Sequence, residues 1–406
     1  MGHRKSWAAA GKVLAASAAI LLIVLTLALG ARAQGHYKVL YKFTGAADGG
    51  GPSSLVIDAA GNLYGTAVSG GAFDYGTVFK LDTTGTFTVL YSFMGGADGA
   101  NPHPYQTLTL DPVGSLYGTT YYGGVHNAGT VFKLDPSGVE TVLYSFSGDT
   151  DGGLPTGSVA LDQSGNVYGT TTRGGNGLGV LFKLTPNPDG TWSESVLHSF
   201  PAYLGDAAEP YSGVGWGPDG NLYGATWQGG TGGGTIFMSN TAGNEVVVHS
   251  FYGVEGEHLY KPPIFDPQGN IYDTTLFGGD YSCSPPGWGE AGCGTVVKLD
   301  PAGNVTVLHA FTGGRDGACL VGGLTSDQAG NLFGVTQFGG TYGDGVVFMA
   351  ALGQDGKFRG KILHAFAGHP GAEPISTMVF DAKGNLYGTA DGYSEQGHGS
   401  IFELTP

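Results

Sequence analysis

One hexapeptide, first met as Gly61-Asn62-Leu63-Tyr64-Gly65-Thr66, recurs from Gly114, Gly165, Gly220, Gly269, Gly330 and Gly384, at spacings of 53, 51, 55, 49, 61 and 54 residues. A period near 50 suits a four-stranded propeller blade and is far too long for a leucine-rich solenoid coil. Each unit reads as four alternating or apolar runs, A to D; in the second copy they are 107–111, 115–121, 129–135 and 140–146. The A-to-B and C-to-D links are D-x-x-G hairpins such as Asp111-Pro112-Val113-Gly114 and Asp135-Pro136-Ser137-Gly138. There Pro suits a type I turn and Gly takes the left-handed position. The expectation is an all-β, seven-bladed β-propeller of four-stranded antiparallel blades over residues 34–406. A chain with 77 glycines and only 12% charged residues fits that pattern of short strands and tight turns.

The ends of the repeat array predict a closed ring. The last unit stops after run C, Ser400-Ile401-Phe402-Glu403-Leu404, while Tyr37 to Phe43 read as an orphan run D matching Thr141 to Phe146. Pairing the two completes a seventh blade and removes two open sheet edges.

Residues 1–33 read as a secretory signal. A basic start (His3, Arg4, Lys5, Lys12) precedes an apolar stretch from Val13 to Leu29 and an A-x-A site, Ala31-Arg32-Ala33. An uncleaved anchor is the rival reading, and the small-residue site favours cleavage. No second apolar segment follows, so no membrane span is expected after signal removal, and the product is expected in the periplasm or outside the cell, as a monomer. Cleavage moves the formal charge from −16 to −20, with 13 basic against 33 acidic residues left. A nucleic-acid partner needs the opposite field. Cations, neutral glycans and basic surfaces are easier partners.

Aromatic residues repeat in register: Tyr64, Tyr117, Tyr168, Tyr223, Tyr272, Phe333 and Tyr387 on B, and Phe79, Phe132, Phe182, Phe237, Phe348 and Phe402 on C. Residues present in every blade read as packing between neighbouring sheets. His198, His249, His309 and His364 take the run-D place of Tyr41, Tyr91 and Tyr144 and are read the same way, as outer-strand residues and not metal ligands.

The pattern G-N-L-Y-G-T-T, G-G, G-T-V-F-K-L-D, V-L-Y-S-F, D-G resembles the tandem GloVer repeat proteins over residues 37–406, most closely from Leu116 to Asp135. Asp273 for Gly and Val297 for Phe are local departures, and the last copy lacks the double Gly. The resemblance implies an exported, propeller-like repeat protein from a family without an established activity, often carrying a C-terminal sorting tail; the sequence ends at Pro406 without one.

In a meander, the A-to-B and C-to-D hairpins share one face, which reads as plain, and the B-to-C and D-to-A loops share the other, which is free to vary. On the variable face fall the D-to-A acids Asp48, Asp98, Asp151, Asp206, Glu255, Asp316 and Glu373. Turn capping accounts for them; a converging ring of oxygens would instead suit Ca²⁺. His103, His258 and His369 lie in D-to-A loops, and His126 and His398 in B-to-C loops. With carboxylates such as Asp98 and Asp316 they could form the metal site of a lyase or hydrolase, an analogy to seven-bladed lyases at the level of fold. B-to-C aromatics, among them Tyr121, Tyr122, Trp227, Phe277, Phe338 and Tyr342, with Tyr281, Trp288 and Tyr393, offer rings for a glycan or protein ligand. The competing reading folds several of them inward over the blade tops.

Cys283 and Cys293, inside the one large insertion of the fifth unit, are placed for a disulfide, with Cys293–Cys319 as the alternative. No phosphate loop, dinucleotide fingerprint or nucleophile elbow stands in a supporting context. The sequence therefore supports a non-enzymatic binding scaffold first and a metal-dependent enzyme second.

Overall fold

A computed structural model describes residues 36–201, 205–285, 289–352, 358–368, 372–391 and 397–406. The expected signal segment 1–33, Trp288, His369 and Tyr393 lie outside them. The described chain is a ring of seven antiparallel blades, with a separate two-stranded sheet, Ala207–Ala208 with Gln228–Gly229, beside the fourth. Blade 2 shows the pattern: A Thr109–Leu110, B Leu116–Thr120, C Thr130–Leu134 and D Glu140–Ser145, hydrogen-bonded in that order. The blades are numbered from the one whose strand A is Val56–Ile57, and its strand B, Leu63–Ser69, also pairs with Gly50–Pro52.

Blade 7 combines Val379–Phe380, Leu386–Ala390 and Ser400–Thr405 with the N-terminal strand His36–Lys42. The register runs from His36↔Thr405 to Lys42↔Ser400, so the predicted closure is present.

The hexapeptide is a turn latch. In blade 1, Asp58 accepts from the N–H groups of Ala60 and Asn62 at 2.9 Å, from Asn62 Nδ2 at 2.7 Å and from the Tyr64 hydroxyl at 3.0 Å. Gly61 sits at φ +89°, where an L side chain would be strained. The repeated B-strand tyrosines thus hold their own hairpin as well as filling space, and Tyr168, Tyr272 and Tyr387 bond to turn aspartates in the same way.

Strand D carries a bulge in every blade, just before the Tyr/His position, for example between Val39 and Tyr41 and between Val142 and Tyr144. The extra residue re-aims that side chain. It meets the D-to-A acid of its own blade: Tyr41–Asp48, Tyr91–Asp98 and Tyr144–Asp151 at 3.0 Å, His249–Glu255 at 2.9 Å and His309–Asp316 at 3.2 Å. These acids are accordingly turn locks, each turned to its own blade, and they do not converge into a ring.

Between sheets lie the strand-C phenylalanines and those at or just past the end of strand D, such as Phe93, Phe146, Phe200 and Phe251, all fully buried. Buried rings of this size contribute about 2–3 kcal/mol each. Segments leading into the A strands meet in the middle of the ring. Ser54 bridges Thr107 in parallel, Ser158 bridges Gly213, and Thr377 N–H donates to Ser54 Oγ at 3.0 Å. Lys261, entering strand A of blade 5 (Ile264–Phe265), crosses this centre to donate to Ser54 Oγ at 3.1 Å and to the Tyr105 carbonyl at 2.5 Å. Among the described residues no helix is long and apolar enough to cross a membrane.

Candidate functional site

The D-to-A loop that leaves each blade folds onto the end of strand B of the next, as in Ala100↔Tyr122, Gly153↔Arg173, Glu257↔Phe277 and Ala318↔Phe338. This backbone pairing gathers both loop classes on one face, as the meander argument expects. It also puts residues from blades 2, 3, 4 and 5 side by side around the centre.

An aromatic chain runs across that face. Tyr121 and Tyr122 meet edge to face at 4.6 Å, and His103 lies 5.2 Å from Tyr121 and 6.5 Å from Tyr211. Tyr211 is 6.1 Å from Trp227, whose indole stacks on His258 at 4.0 Å and 13°. Tyr105 and Tyr260 close the layer beneath, 4.6 Å apart. Burial, with the Lys261 charge as a second cause, pushes the His103 imidazole down to about 3. It is neutral at physiological pH and accepts a bond from the Tyr105 N–H at its Nδ1.

Beside this chain opens a cavity of about 420 Å³, lined by Tyr121, Thr172, Arg173, Leu178, Glu209 and Tyr211 together with glycines of the same loops. Arg173 is exposed at its mouth. Burial raises the Glu209 carboxyl, and the nearby Arg173 pulls it back down. Glu209 also sits at φ +52°, a conformation fixed by its N–H bonding to Leu178 O at 3.1 Å and its carbonyl receiving the Trp227 N–H at 3.0 Å. Two tyrosine rings, a guanidinium and a carboxyl thus face one small volume.

The six aromatics expected to bind separate clearly. Tyr121 lines the cavity, Tyr122 stands next to it at 43% exposure, and Trp227 is half-buried in the chain just described. Phe277 corrects the expectation: it is 0% exposed and belongs to the blade 5 core, with the disulfide loop packed over it. Phe338 packs against that same core, and Tyr342 is exposed on blade 6, outside the cavity lining.

The histidines do not assemble into one centre. His126 is exposed, the His398 ring lies over Gly45 on blade 7, and His103 is enclosed by tyrosines. His258 alone of the four described loop histidines faces a carboxylate: its Nε2 is 3.5 Å from Glu290 and its Nδ1 2.5 Å from the Trp227 carbonyl. With Glu257 these form one of two described side-chain groups able to surround a cation. Glu257 is committed elsewhere, receiving the Tyr281 hydroxyl and the Gly253 N–H at 2.9 Å each. Asp98 and Asp316 are held by Tyr91 and Met94 N–H, and by His309 and Thr312, within their own blades.

Cys283 and Cys293 form the disulfide, with Cα atoms 5.7 Å apart, and Cys319 is free and buried. The face expected to be plain holds a wider cleft of about 710 Å³ between blades 7 and 1. Its acids Asp58, Asp82 and Asp381 are engaged by their own hairpins, so the cleft is a gap between turn latches.

The Gloeobacter/Verrucomicrobia repeat matches residues 30–177 and 173–402. No curated protein matches the sequence. The extracellular domain of a putative one-component system of B. thetaiotaomicron aligns at TM-score 0.56 and 11% identity, over 90% of this chain and 39% of that one, a likeness of fold alone. A gluconolactonase of Xanthomonas campestris aligns at TM-score 0.44 and 13% identity, covering 93% and 92% of the two chains. A calcium-binding regucalcin of Agrobacterium tumefaciens aligns at 0.43 and 15%, covering 91% and 93%.

Proposed function

The chain belongs to the Gloeobacter/Verrucomicrobia repeat family, and from that premise we propose that it is an exported, non-enzymatic propeller whose loop face binds a neutral glycan. The carrying observation is the cavity where Tyr121 and Tyr211 stand with Arg173 and Glu209. A sugar ring presents C–H faces to aromatic rings and hydroxyls to charged groups, and a concave site with few convergent polar groups suits it. The net charge of −16 repels acidic polymers and leaves uncharged oligosaccharides as the favoured class. A disulfide is consistent with an oxidising compartment.

The test is a glycan array followed by calorimetry on the hits, with Tyr211→Ala and Arg173→Ala. Each variant is expected to weaken binding by about tenfold or more, the cost of one lost contact of about 1.4 kcal/mol. An array without neutral hits, or hits that ignore both substitutions, overturns the reading.

One observation favours a metal-dependent lyase or hydrolase as second reading: His258 beside Glu290 and Glu257. Turnover of a bound glycan that His258→Gln abolishes while binding persists would establish it over the first.

A further inference from the structure

Strand D of blade 3, Trp192–Pro201, and strand D of blade 4, Glu245–Ser250, run along the outer rim of the ring. The bulge that re-aims the Tyr/His position turns His198 toward Asp206 of its own D-to-A loop, with Nε2 to Oδ2 at 3.5 Å. From the next blade Glu245 approaches the same nitrogen, Oε2 at 3.9 Å. The three ligand atoms all lie within 4.8 Å of one another. Atoms bound to a tetrahedral Zn²⁺ at ~2.0–2.2 Å stand about 3.3–3.6 Å apart, close to the spacing already present.

The feature particular to this junction is its imidazole. The Glu245 side chain is 6% exposed and its Oε1 is buried without a hydrogen-bond partner, as are the Oε1 atoms of Glu140 and Glu194 at the two preceding junctions. His198 Nε2 is also buried and makes no hydrogen bond, although the side chain as a whole is 22% exposed. No lysine or arginine among the described residues pairs with either carboxylate. Buried ionisable groups of this kind normally have a partner or hold a metal.

The other blade junctions act as internal controls. At the two preceding ones a tyrosine takes the histidine place, and its hydroxyl satisfies the aspartate: Tyr91–Asp98 beside Glu140, and Tyr144–Asp151 beside Glu194. At the two following ones the histidine and its acid are present as His249–Glu255 and His309–Asp316, but Val305 and Gly360 stand at the glutamate place. His198 is thus where an imidazole coincides with both acids.

We infer that His198, Asp206 and Glu245 form a binding site for one divalent transition-metal cation of the Zn²⁺ class, joining blades 3 and 4 at the rim. Imidazole with two carboxylates suits Zn²⁺ and its neighbours, whereas Ca²⁺ takes an all-oxygen shell. The site is separate from the glycan cavity and does not depend on it.

The experiment strips the purified full chain with a chelator and titrates Zn²⁺ alone by calorimetry, with thermal melts in Zn²⁺ and in EDTA. One Zn²⁺ per chain is expected. His198→Tyr, which restores the residue of blades 1 and 2, is expected to weaken it by more than about 100-fold, beyond the cost of losing an outer partner. Its melt in EDTA should match the parent, with Glu245→Gln as second variant if it does not fold. His249→Tyr and His258→Gln should bind as the parent does. Absence of Zn²⁺ binding, preference for Ca²⁺, full binding by folded His198→Tyr or Glu245→Gln, or loss that follows His258→Gln instead would overturn the inference.

Discussion

Asp273 and Val297 are direct cross-strand partners in blade 5, at the place where the other six blades pair a glycine with a phenylalanine. A Cβ on those glycines would meet the partner ring at 2.5–2.8 Å: Gly65 on Phe79, Gly118 on Phe132, Gly388 on Phe402. The two departures are therefore one event, with the small Val297 making room for a carboxyl. Asp273 is 2% exposed, its Oδ2 is unpartnered, and burial drives its carboxyl well above the usual range.

Val297→Phe alone should destabilise the fold by about 1–3 kcal/mol through overpacking. Asp273→Gly combined with Val297→Phe should recover that loss and exceed the parent by about 1–3 kcal/mol, because a buried unsatisfied oxygen is removed. Urea denaturation of the parent, Asp273→Gly, Val297→Phe and the double variant gives the coupling, expected between about 0.5 and 3 kcal/mol. Additive effects would refute it.

Lys261 makes stability depend on alkaline pH. Burial lowers its ammonium from 10.5 to about 7, so between these values the unfolded chain holds a proton that the folded chain lacks. Its contribution is therefore lost as pH falls through about 7 and regained toward 10.5. The stability of the parent relative to Lys261→Met should rise steadily from pH 7 to pH 9.5, measured by chemical denaturation; a constant difference would contradict the assignment.

Glu140 and Glu194 work in the opposite direction. Burial first, and then Asp98 or Asp151, raises each carboxyl from 4.5 to about 7. The folded chain binds the extra protons, so their contribution is complete below 4.5 and lost as pH rises through about 7. Melting temperatures of Glu140→Gln and Glu194→Gln should vary less between pH 5 and pH 7.5 than those of the parent. Parallel curves would count against this.

Cys319 should be inert. It is fully buried, and burial pushes its thiol up to about 12. A thiol reagent at pH 8 is expected to find no reactive cysteine in the native protein and one after denaturation, with Cys283 and Cys293 appearing only on reduction. Fast native labelling would mean the loop pairing is different.

The ring was legible because its signals are local and repeated: turn aspartate, left-handed glycine, and alternation in each strand. What the repeat hides is where a side chain ends after the loops fold back. Phe277 and Tyr122 hold like places just past strand B, each paired with a D-to-A loop, yet only the blade 5 insertion packs over its ring and buries it. Arg173, Glu209 and Tyr211 carry no motif; their sole trace was a scarce cation and a Glu-Pro-Tyr break within otherwise glycine-rich loops. By repeat position His198 reads as an outer-strand residue and not a metal ligand, and that position says nothing of Glu245, which reaches it from another blade. Contacts between blades join residues dozens of positions apart, beyond the reach of periodicity.

The seam of blade 7 also sets a schedule for the polypeptide. His36 finds its partner only in Thr405, so the first described strand to leave the ribosome must wait for the last. Until then six complete sheets stand as an open arc with an unpaired edge at either end, the kind of intermediate most prone to associate with its own copies. Closure across so great a sequence separation is slow. Docking of Tyr37 to Lys42 on the last strand therefore removes open edges that no single blade, however stable, can cover by itself.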